Sequence, residues 1–133
     1  MKKCKLKNCE FIKDFNLDIF WEDSIKSYKR EVREKFKNQN KKYGFDDRET
    51  YDLFFSISLY IYTRLKLMLE VSKNIIDYDK EPEYKEDINK MLICFSNIIN
   101  SKFIDVDMKS EKFKKEVEDG LEAFKRSFFR LWW

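Results

Sequence analysis

The sequence predicts an all-α protein, and three observations support that fold class. Apolar residues recur at three- and four-residue steps over four long stretches of the 133-residue chain, which is the period of an amphipathic helix. No stretch of useful length alternates apolar and polar residues as a half-buried strand would. With only Gly44 and Gly120, the chain has few tight turns for a sheet. We therefore expect one bundle-like domain of four helices over residues 1–133, with a long, mostly buried second helix.

The first predicted helix covers about Trp21 to Asn40 and ends near Gly44, because glycine favours the conformation that terminates helices. Its other faces are rich in Lys and Glu, as expected for an amphipathic surface helix. Its apolar positions are Ile25, Tyr28, Val32 and Phe36. Residues 1–15 precede this helix, and we expect them to be loosely ordered.

A capping-box pattern starts the second helix. Asp46 and Glu49 are three residues apart, the spacing at which each can bond a backbone N–H near the other. The helix is predicted over Tyr51 to Asp77. Its polar stripe is Asp52, Ser56, Thr63, Lys66, Glu70, Lys73 and Asp77. Its apolar stripe, predicted to face the core, is Leu53, Ile57, Tyr60, Met68 and Val71.

Pro82 separates the second helix from the last two. The third is predicted over about Glu83 to Asn100, and the fourth over about Lys109 to Leu131. The third helix has apolar positions Tyr84, Ile88, Met91, Leu92, Phe95, Ile98 and Ile99. The fourth has Phe113, Val117, Leu121, Phe124, Phe128 and Leu131. Because this last stripe continues to Trp132, we expect the carboxyl end to be docked on the protein.

Arg64 lies in the middle of the apolar stripe of the second helix, roughly 160° around from Lys66 at about 100° per residue. A guanidinium on a core face needs a partner. The partner is either a carboxylate from another helix or an anion held in a pocket between helices. The residues themselves leave both interpretations open.

Charge and composition limit the partners and the location of the chain. A net charge of +3, from 28 basic and 25 acidic residues, argues against a protein that coats long nucleic acid but allows a local basic pocket. The uncharged run from Leu53 to Thr63 is far shorter than the ~20 residues that span a bilayer. Charged residues recur in the first 15 positions, so no signal-peptide core is present. We expect a cytoplasmic protein without a membrane partner.

The residue inventory also argues against an enzyme. The chain has no histidine and only two glycines, which excludes a histidine base, a Ser-His-Asp triad and glycine-rich phosphate loops. Cys4 and Cys9 have no second pair with which to form a zinc site, and Cys94 is expected to be a packing residue. We therefore expect no catalytic residues, no bound metal and no cofactor.

Three segments resemble a family of small, uncharacterised bacteriophage proteins. Tyr51 to Lys66, with Leu53 and Arg64-Leu65-Lys66, is similar to the family's aromatic-x-Leu-Asp segment followed by Pro-Arg-Leu-Lys. Residues 87–95, DINKMLICF, are similar to its Asp-Lys-Met-Ile-x-x-Phe segment, and residues 120–132, GLEAFKRSFFRLW, to its Gly-Leu-x-x-Phe…Phe-x-x-Leu-Trp ending. The segments keep the family's order over about the last two thirds of the chain.

The resemblance implies a phage protein that acts in the host bacterial cytoplasm. Three positions depart from the family pattern: Tyr51 replaces a Trp, Phe54 an Asp, and Thr63 the Pro before Arg64. A site that uses that Asp would therefore be altered here. Together with the aromatic residues and Arg64, the resemblance places the chain among phage proteins that sequester cyclic nucleotide signals of bacterial immunity.

The first functional hypothesis is accordingly a sponge that binds a cyclic nucleotide between helices, since arginine holds phosphate and aromatic rings stack on bases. Its phosphate contacts would be Arg64 with Arg48 or Lys66. Its base contacts would be Tyr51, Tyr60 or Trp132. A polar pocket that contains Arg64 and tyrosine hydroxyls would favour this hypothesis.

The second hypothesis is a protein that binds and blocks a host or defence protein through an exposed aromatic surface near Phe129, Trp132 and Trp133. An exposed apolar patch over a solid core would favour it. The third is an enzyme or nucleic-acid binder, which would need a carboxylate–metal site or a continuous basic stripe that the sequence does not show. A homo-oligomer remains open under all three hypotheses.

Overall fold

The computed structural model describes residues 28–101 and 107–132, with Tyr51 described by its backbone alone, and these residues contain helices and no strand. The predicted all-α class is confirmed. The helices are α1 (Arg30–Tyr43), α2 (Arg48–Tyr51), α3 (Leu53–Ser72), α4 (Pro82–Asn100) and α5 (Glu111–Ser127). Single 3₁₀ turns cover Tyr78–Lys80 and Phe128–Arg130. None of the described helices is long and apolar enough to cross a membrane.

The chain divides into two compact units, Met1–Ser56 and Ile57–Trp133. Helices α1 and α2 belong to the first unit, and α4 and α5 belong to the second. The single domain over residues 1–133 stays a prediction. The expectations for residues 1–15, for the part of the first helix from Trp21 to Ser27, and for Trp133 lie outside the described residues.

Helix α1 ends as its sequence predicts. Gly44 has a φ of 86°, the left-handed conformation that glycine adopts without steric cost, and its N–H donates to the Asn40 carbonyl at 3.0 Å. The capping box then starts α2. The Asp46 N–H donates to Glu49 Oε2 at 3.2 Å, and Asp46 Oδ1 accepts from the Arg48 N–H at 3.1 Å. The predicted start of the helical segment is therefore formed.

The long second helix differs from its prediction at both ends. Asp52, with φ −115° and ψ 65°, is not helical and divides the predicted helix into α2 and α3. Helix α3 ends at Ser72, and in the turn that follows the N–H groups of Ile75 and Ile76 both donate to the Ser72 carbonyl. Asp77 lies outside the helix and caps the next 3₁₀ turn by accepting from the Asp79 N–H at 3.3 Å.

The buried side of α3 is not the predicted one. The buried positions are Phe55, Ser58, Leu59, Tyr62, Leu65 and Ser72. The predicted core stripe was wrong, since Leu53, Ile57, Tyr60 and Val71 are exposed. The reason is that α3 has apolar side chains on nearly every side, so periodicity alone could not say which apolar face is buried. The helix is buried along one side only.

Helices α4 and α5 pack as an antiparallel pair within the second unit. Near one end of the pair, Arg126 Nη2 donates to Asp87 Oδ1 at 2.7 Å, and near the other Asn97 Nδ2 donates to Glu116 Oε2 at 2.5 Å. In α4 the buried residues are Tyr84, Ile88, Met91, Cys94, Phe95 and Ile99. The predicted packing role of Cys94 is confirmed.

The most buried positions of α5 are small residues that the predicted stripe did not include, although its Phe124 does pack edge to face on Phe95 of α4 with ring centroids 5.8 Å apart. The buried residues of α5 are Gly120, Ala123 and Ser127, whereas Leu121 and Phe128 are exposed. A methyl group built on Gly120 would lie 2.1 Å from Cys94 Cβ, so the two helices approach too closely there for any side chain on α5. Small residues thus set the distance between α4 and α5.

Candidate binding surfaces

Arg64 does not face the core, which corrects the central expectation from the sequence. It is exposed on α3, and its guanidinium carbon lies 3.4 Å from the centroid of the Tyr60 ring one turn earlier. Its Nη1 also donates to the Tyr60 carbonyl at 3.2 Å. Arg64 forms no ion pair with a carboxylate of the described residues, so its main partner is an aromatic face. Of the predicted contacts, the structure brings Arg64 and Tyr60 together.

The other predicted contacts have separate surroundings. Lys66 Nζ lies 5.8 Å from the centroid of the Tyr62 ring. Arg48 is paired with Asp46 in the unit Met1–Ser56. Trp132 is exposed after the last 3₁₀ turn, and the side chain of Tyr51 lies outside the described residues. Arg64 does not line the grooves along α1 or the groove at residues 73–79.

A buried carboxylate organises the corner between α1 and α2. The side chain of Asp46 is 1% exposed and accepts from Arg48 Nη2 at 2.8 Å, from Arg48 Nε at 2.9 Å and from Asn40 Nδ2. Burial raises the pKa of Asp46, but the hydrogen bonds from Arg48 and Asn40 and the charge of Arg48 outweigh burial and hold the pKa below its ordinary value. The guanidinium of Arg48 also lies 4.7 Å from the centroid of the Phe36 ring. This corner is therefore rigid and polar.

A basic groove of about 500 Å³ borders this corner. It is lined by Arg30, Arg33, Glu34, Phe36, Lys37, Asn40 and Arg48. Arg30, Arg33 and Lys37 recur at three- and four-residue steps on α1, so they share one face of the helix. No carboxylate of the described residues forms an ion pair with these three cations, although Glu34 lies in the same lining. The groove is an open site of positive charge with one aromatic wall.

Sequence reasoning included Arg48 but missed the three cations of α1. Their spacing was the available signal, yet α1 contains lysines and glutamates on several faces. A periodic basic face is hard to separate from ordinary solvated charge in such a sequence.

The chain's end forms a second distinct surface, the C-terminal aromatic surface, defined by Phe128, Phe129 and Trp132. Phe129 is 91% exposed and Trp132 is 70% exposed. The rings of Phe128 and Phe129 meet edge to face with centroids 5.4 Å apart. The expected docking of the carboxyl end does not extend to the side chain of Trp132, which is exposed after the 3₁₀ turn at Phe128–Arg130.

The base of the C-terminal aromatic surface is fixed to the start of α4. The Tyr84 hydroxyl donates to the Arg130 carbonyl at 2.7 Å, and the Arg130 guanidinium carbon lies 4.2 Å from the centroid of the Tyr84 ring. Arg130 also pairs with Glu81. The Trp132 N–H donates to the Arg130 carbonyl at 2.9 Å. The backbone that presents the aromatic residues is thus held in place from several directions.

Reactive groups are few in the described part of the chain. No group of three or more metal-ligating residues is found among residues 28–101 and 107–132. Cys94 is fully buried, and burial raises the pKa of its thiol to about 11. The thiol is therefore protonated at neutral pH.

The comparisons with known proteins returned no match, whether against protein-family models, curated proteins or solved structures.

Proposed function

We propose that this chain is a non-enzymatic binding protein that attaches to a partner protein through the C-terminal aromatic surface. The observation that supports this most directly is the exposure of Phe129 and Trp132 beside a fixed backbone. Exposed large aromatic side chains lose apolar contact with water when a partner covers them, and aromatic residues dominate the energetics of protein interfaces. A surface whose backbone is already ordered also loses less conformational freedom on binding.

The resemblance to small bacteriophage proteins suggests the kind of partner. A small phage protein that acts by binding would occupy a host or defence protein in the bacterial cytoplasm. The proposed partner therefore presents an apolar pocket that accepts Phe129 and Trp132. Phe128 would border that pocket, because it lies edge to face with Phe129.

Site-specific photocrosslinking in bacterial cells tests this proposal. A photoreactive phenylalanine analogue at position 129 should crosslink to one defined protein, because position 129 would lie inside the interface. The matched control places the analogue at Leu121, which is an exposed apolar position on α5 outside the aromatic surface. Adding Trp132→Ala to the position-129 variant should reduce the crosslink by about tenfold or more, as loss of a hot-spot residue does. Equal products from positions 129 and 121 would contradict the proposal.

A second candidate function is the nucleotide sponge, with its site at the basic groove rather than at Arg64. The groove volume of about 500 Å³ lies within the range of small-molecule sites. Arg30, Arg33 and Lys37 could pair with phosphate groups, and the edge of Phe36 could contact a base. Arg48 would hold the wall of the groove through its bonds to Asp46.

A thermal-shift screen with cyclic di- and trinucleotides tests the second candidate. A ligand at 100 times its dissociation constant should add about 2.7 kcal/mol to the free energy of unfolding. Charge removal at the groove by Arg33→Gln with Lys37→Gln should abolish the shift. Lys114→Gln with Lys125→Gln removes equal charge from α5 and should leave the shift unchanged. Failure of every cyclic nucleotide to raise the melting temperature would eliminate the sponge and leave the protein-binding proposal unaffected.

A further inference from the structure

Helix α3 has an exposed apolar face in addition to its buried one. We call this face the α3 seam, and it consists of Ile57, Tyr60, Arg64, Leu67 and Val71. The steps between these residues alternate between three and four, which is the a/d spacing of a coiled coil over more than two heptads. All five residues are exposed, with Tyr60 at 59% and Leu67 at 44%. A helix that leaves such a stripe in water has a face suited to another helix.

Arg64 is the single charged residue in the α3 seam, and its geometry leaves it able to take a second partner. Its guanidinium already lies over its own Tyr60, whose ring centroid is 3.4 Å from the guanidinium carbon. Arg64 remains exposed as a residue, so a second partner can reach it while the contact with Tyr60 is kept. A guanidinium can stack on aromatic rings from both sides, because its charge is delocalised over the whole plane.

We propose that two copies of this chain pair through the α3 seam as an antiparallel two-fold helix pair. In the register that sets Ile57 opposite Leu67 of the second copy, Tyr60 falls opposite Arg64. The same register sets Val71 opposite Leu53, the first residue of α3. Each Arg64 then lies between two tyrosine rings, one from each copy. Every remaining layer pairs one aliphatic side chain with another.

A second copy fits the α3 seam better than an unrelated helix does, because the pattern is complementary to itself. In a two-fold interface the same patch of both copies is in contact, so the patch must be complementary to itself. This register meets that requirement, because it brings no two like charges together. A parallel pairing would instead set Arg64 directly against Arg64 of the second copy. A single charged residue in an otherwise apolar seam is a known means of selecting one register and one orientation.

The flanking positions are compatible with this pairing. Ile61 and Met68 border the α3 seam on one side and are only half-buried, so they would extend the apolar contact. Thr63 borders it on the other side and would meet Thr63 of the second copy. Glu70, which lies on the Thr63 side, is paired with Lys73 at 2.5 Å and would lie opposite Ser56. No two carboxylates are brought together.

The size of the contact is typical of a reversible rather than a permanent dimer. Helix α3 has 20 residues and is therefore about 30 Å long. One helix pair of this length is near the lower limit of about 1,200 Å² for specific interfaces. We therefore expect a reversible dimer with a dissociation constant on the order of 10 µM.

Light scattering after size-exclusion chromatography tests the pairing. The wild-type chain should shift from monomer to dimer mass as its concentration rises from roughly 1 µM to 1 mM. Leu67→Glu should weaken the dimer by about 100-fold or more, because it places a carboxylate inside an apolar layer. Leu121→Glu changes a similarly exposed leucine on α5 and should leave the dimer unchanged. Circular dichroism of each variant establishes that its helices are intact.

Cysteine crosslinking tests the orientation and remains informative if Leu67→Glu fails to fold. In a chain with Cys4→Ser and Cys9→Ser, Ile57→Cys copies mixed with Leu67→Cys copies should form a disulfide-linked dimer. Ile57→Cys alone should not, because the two cysteines would lie about ten residues, or about 15 Å, apart along the antiparallel pair.

Four outcomes would overturn the proposal. The first is a monomer mass at every concentration, and the second is a dimer that Leu67→Glu does not weaken. The third is crosslinking of each single-cysteine variant with itself, since that pattern is expected of a parallel pair. The fourth is a monomeric wild-type chain whose melting temperature falls sharply in Leu67→Glu, which would mean that the chain itself covers the α3 seam.

Discussion

The corner between α1 and α2 and the α4–α5 pair are held together by different forces. At the corner, one buried carboxylate, Asp46, joins two segments through hydrogen bonds to Arg48 and Asn40. The α4 and α5 helices are instead joined by close contact between apolar and small residues, and the contact is tightest where Gly120 meets Cys94. The comparison shows that the polar corner depends on the partners of one charge, whereas the helix pair depends on volume.

This difference predicts which substitutions each region tolerates. A polar corner should resist changes in side-chain size but fail when one partner of the buried charge is removed. A close-packed helix contact should resist changes of exposed charge but fail when a single methyl group is added.

The largest effect on stability is expected at Gly120, where there is no volume for a side chain. In Gly120→Val the new Cβ would lie 2.1 Å from Cys94 Cβ and 2.6 Å from the Lys90 carbonyl oxygen, so the backbone of α4 must move. We expect the free energy of unfolding to fall by about 3 kcal/mol or more, measured by chemical denaturation. Gly120→Ala is the sharper test, because alanine alone would stabilise an exposed helix position by about 1 kcal/mol. A stabilised Gly120→Ala protein would show that the helices are not in close contact there.

The next largest effect on stability is expected at Asp46, whose buried charge is paired with Arg48. Asp46→Ala removes the acceptor of Arg48 and Asn40 from a side chain that is 1% exposed, and it leaves their donors without that partner. We expect a loss of about 2–3 kcal/mol in the free energy of unfolding, less than the ~3–5 kcal/mol of a fully buried pair, because Arg48 itself reaches solvent. Asp47→Ala is the matched control. Its carboxylate is 36% exposed, so its loss should cost much less than the loss of Asp46.

The pH dependence of the same pair gives an independent check. Because the folded-state pKa of Asp46 is lowered, its contribution to stability is complete above the unfolded-state value of about 3.9 and is lost as the pH falls through the folded-state value. The difference in stability between the wild type and Asp46→Asn should therefore be largest near pH 7 and shrink below about pH 4. A difference that stays constant from pH 7 to pH 3 would show that the charge of Asp46 contributes nothing.

Much of the helical framework could be predicted from the sequence, because its signals are local. Gly44 ends α1, Asp46 and Glu49 form the capping box, and Pro82 begins α4. In α4 the apolar and polar residues occupy clearly different sides, so the predicted core positions Ile88 and Met91 are buried. The sequence was therefore sufficient to predict helix ends that are determined by residues within one helical turn.

The buried faces of α3 and α5 could not be predicted, because the sequence pattern does not distinguish them from the exposed faces. Helix α3 is apolar on two sides, and only tertiary packing determines that Leu59 is buried while Ile57 is exposed. In α5 the contact line runs through Gly120 and Ala123, which contribute almost nothing to an apolar pattern. The error about Arg64 follows from the first of these ambiguities, since its face was assigned from the wrong stripe.

Arg64 provides the smallest predicted effect on stability. A buried ion pair would make Arg64→Met cost about 3–5 kcal/mol, whereas an uncompensated buried charge would make the same change neutral or stabilising. The structure shows an exposed residue whose aromatic partner is Tyr60, so we expect a change of about 0.5–1 kcal/mol or less in the free energy of unfolding. Chemical denaturation at low protein concentration, where self-association is absent, measures this change within a single chain. A loss of several kcal/mol would mean that Arg64 has a buried carboxylate partner and lies on the core face of α3 after all.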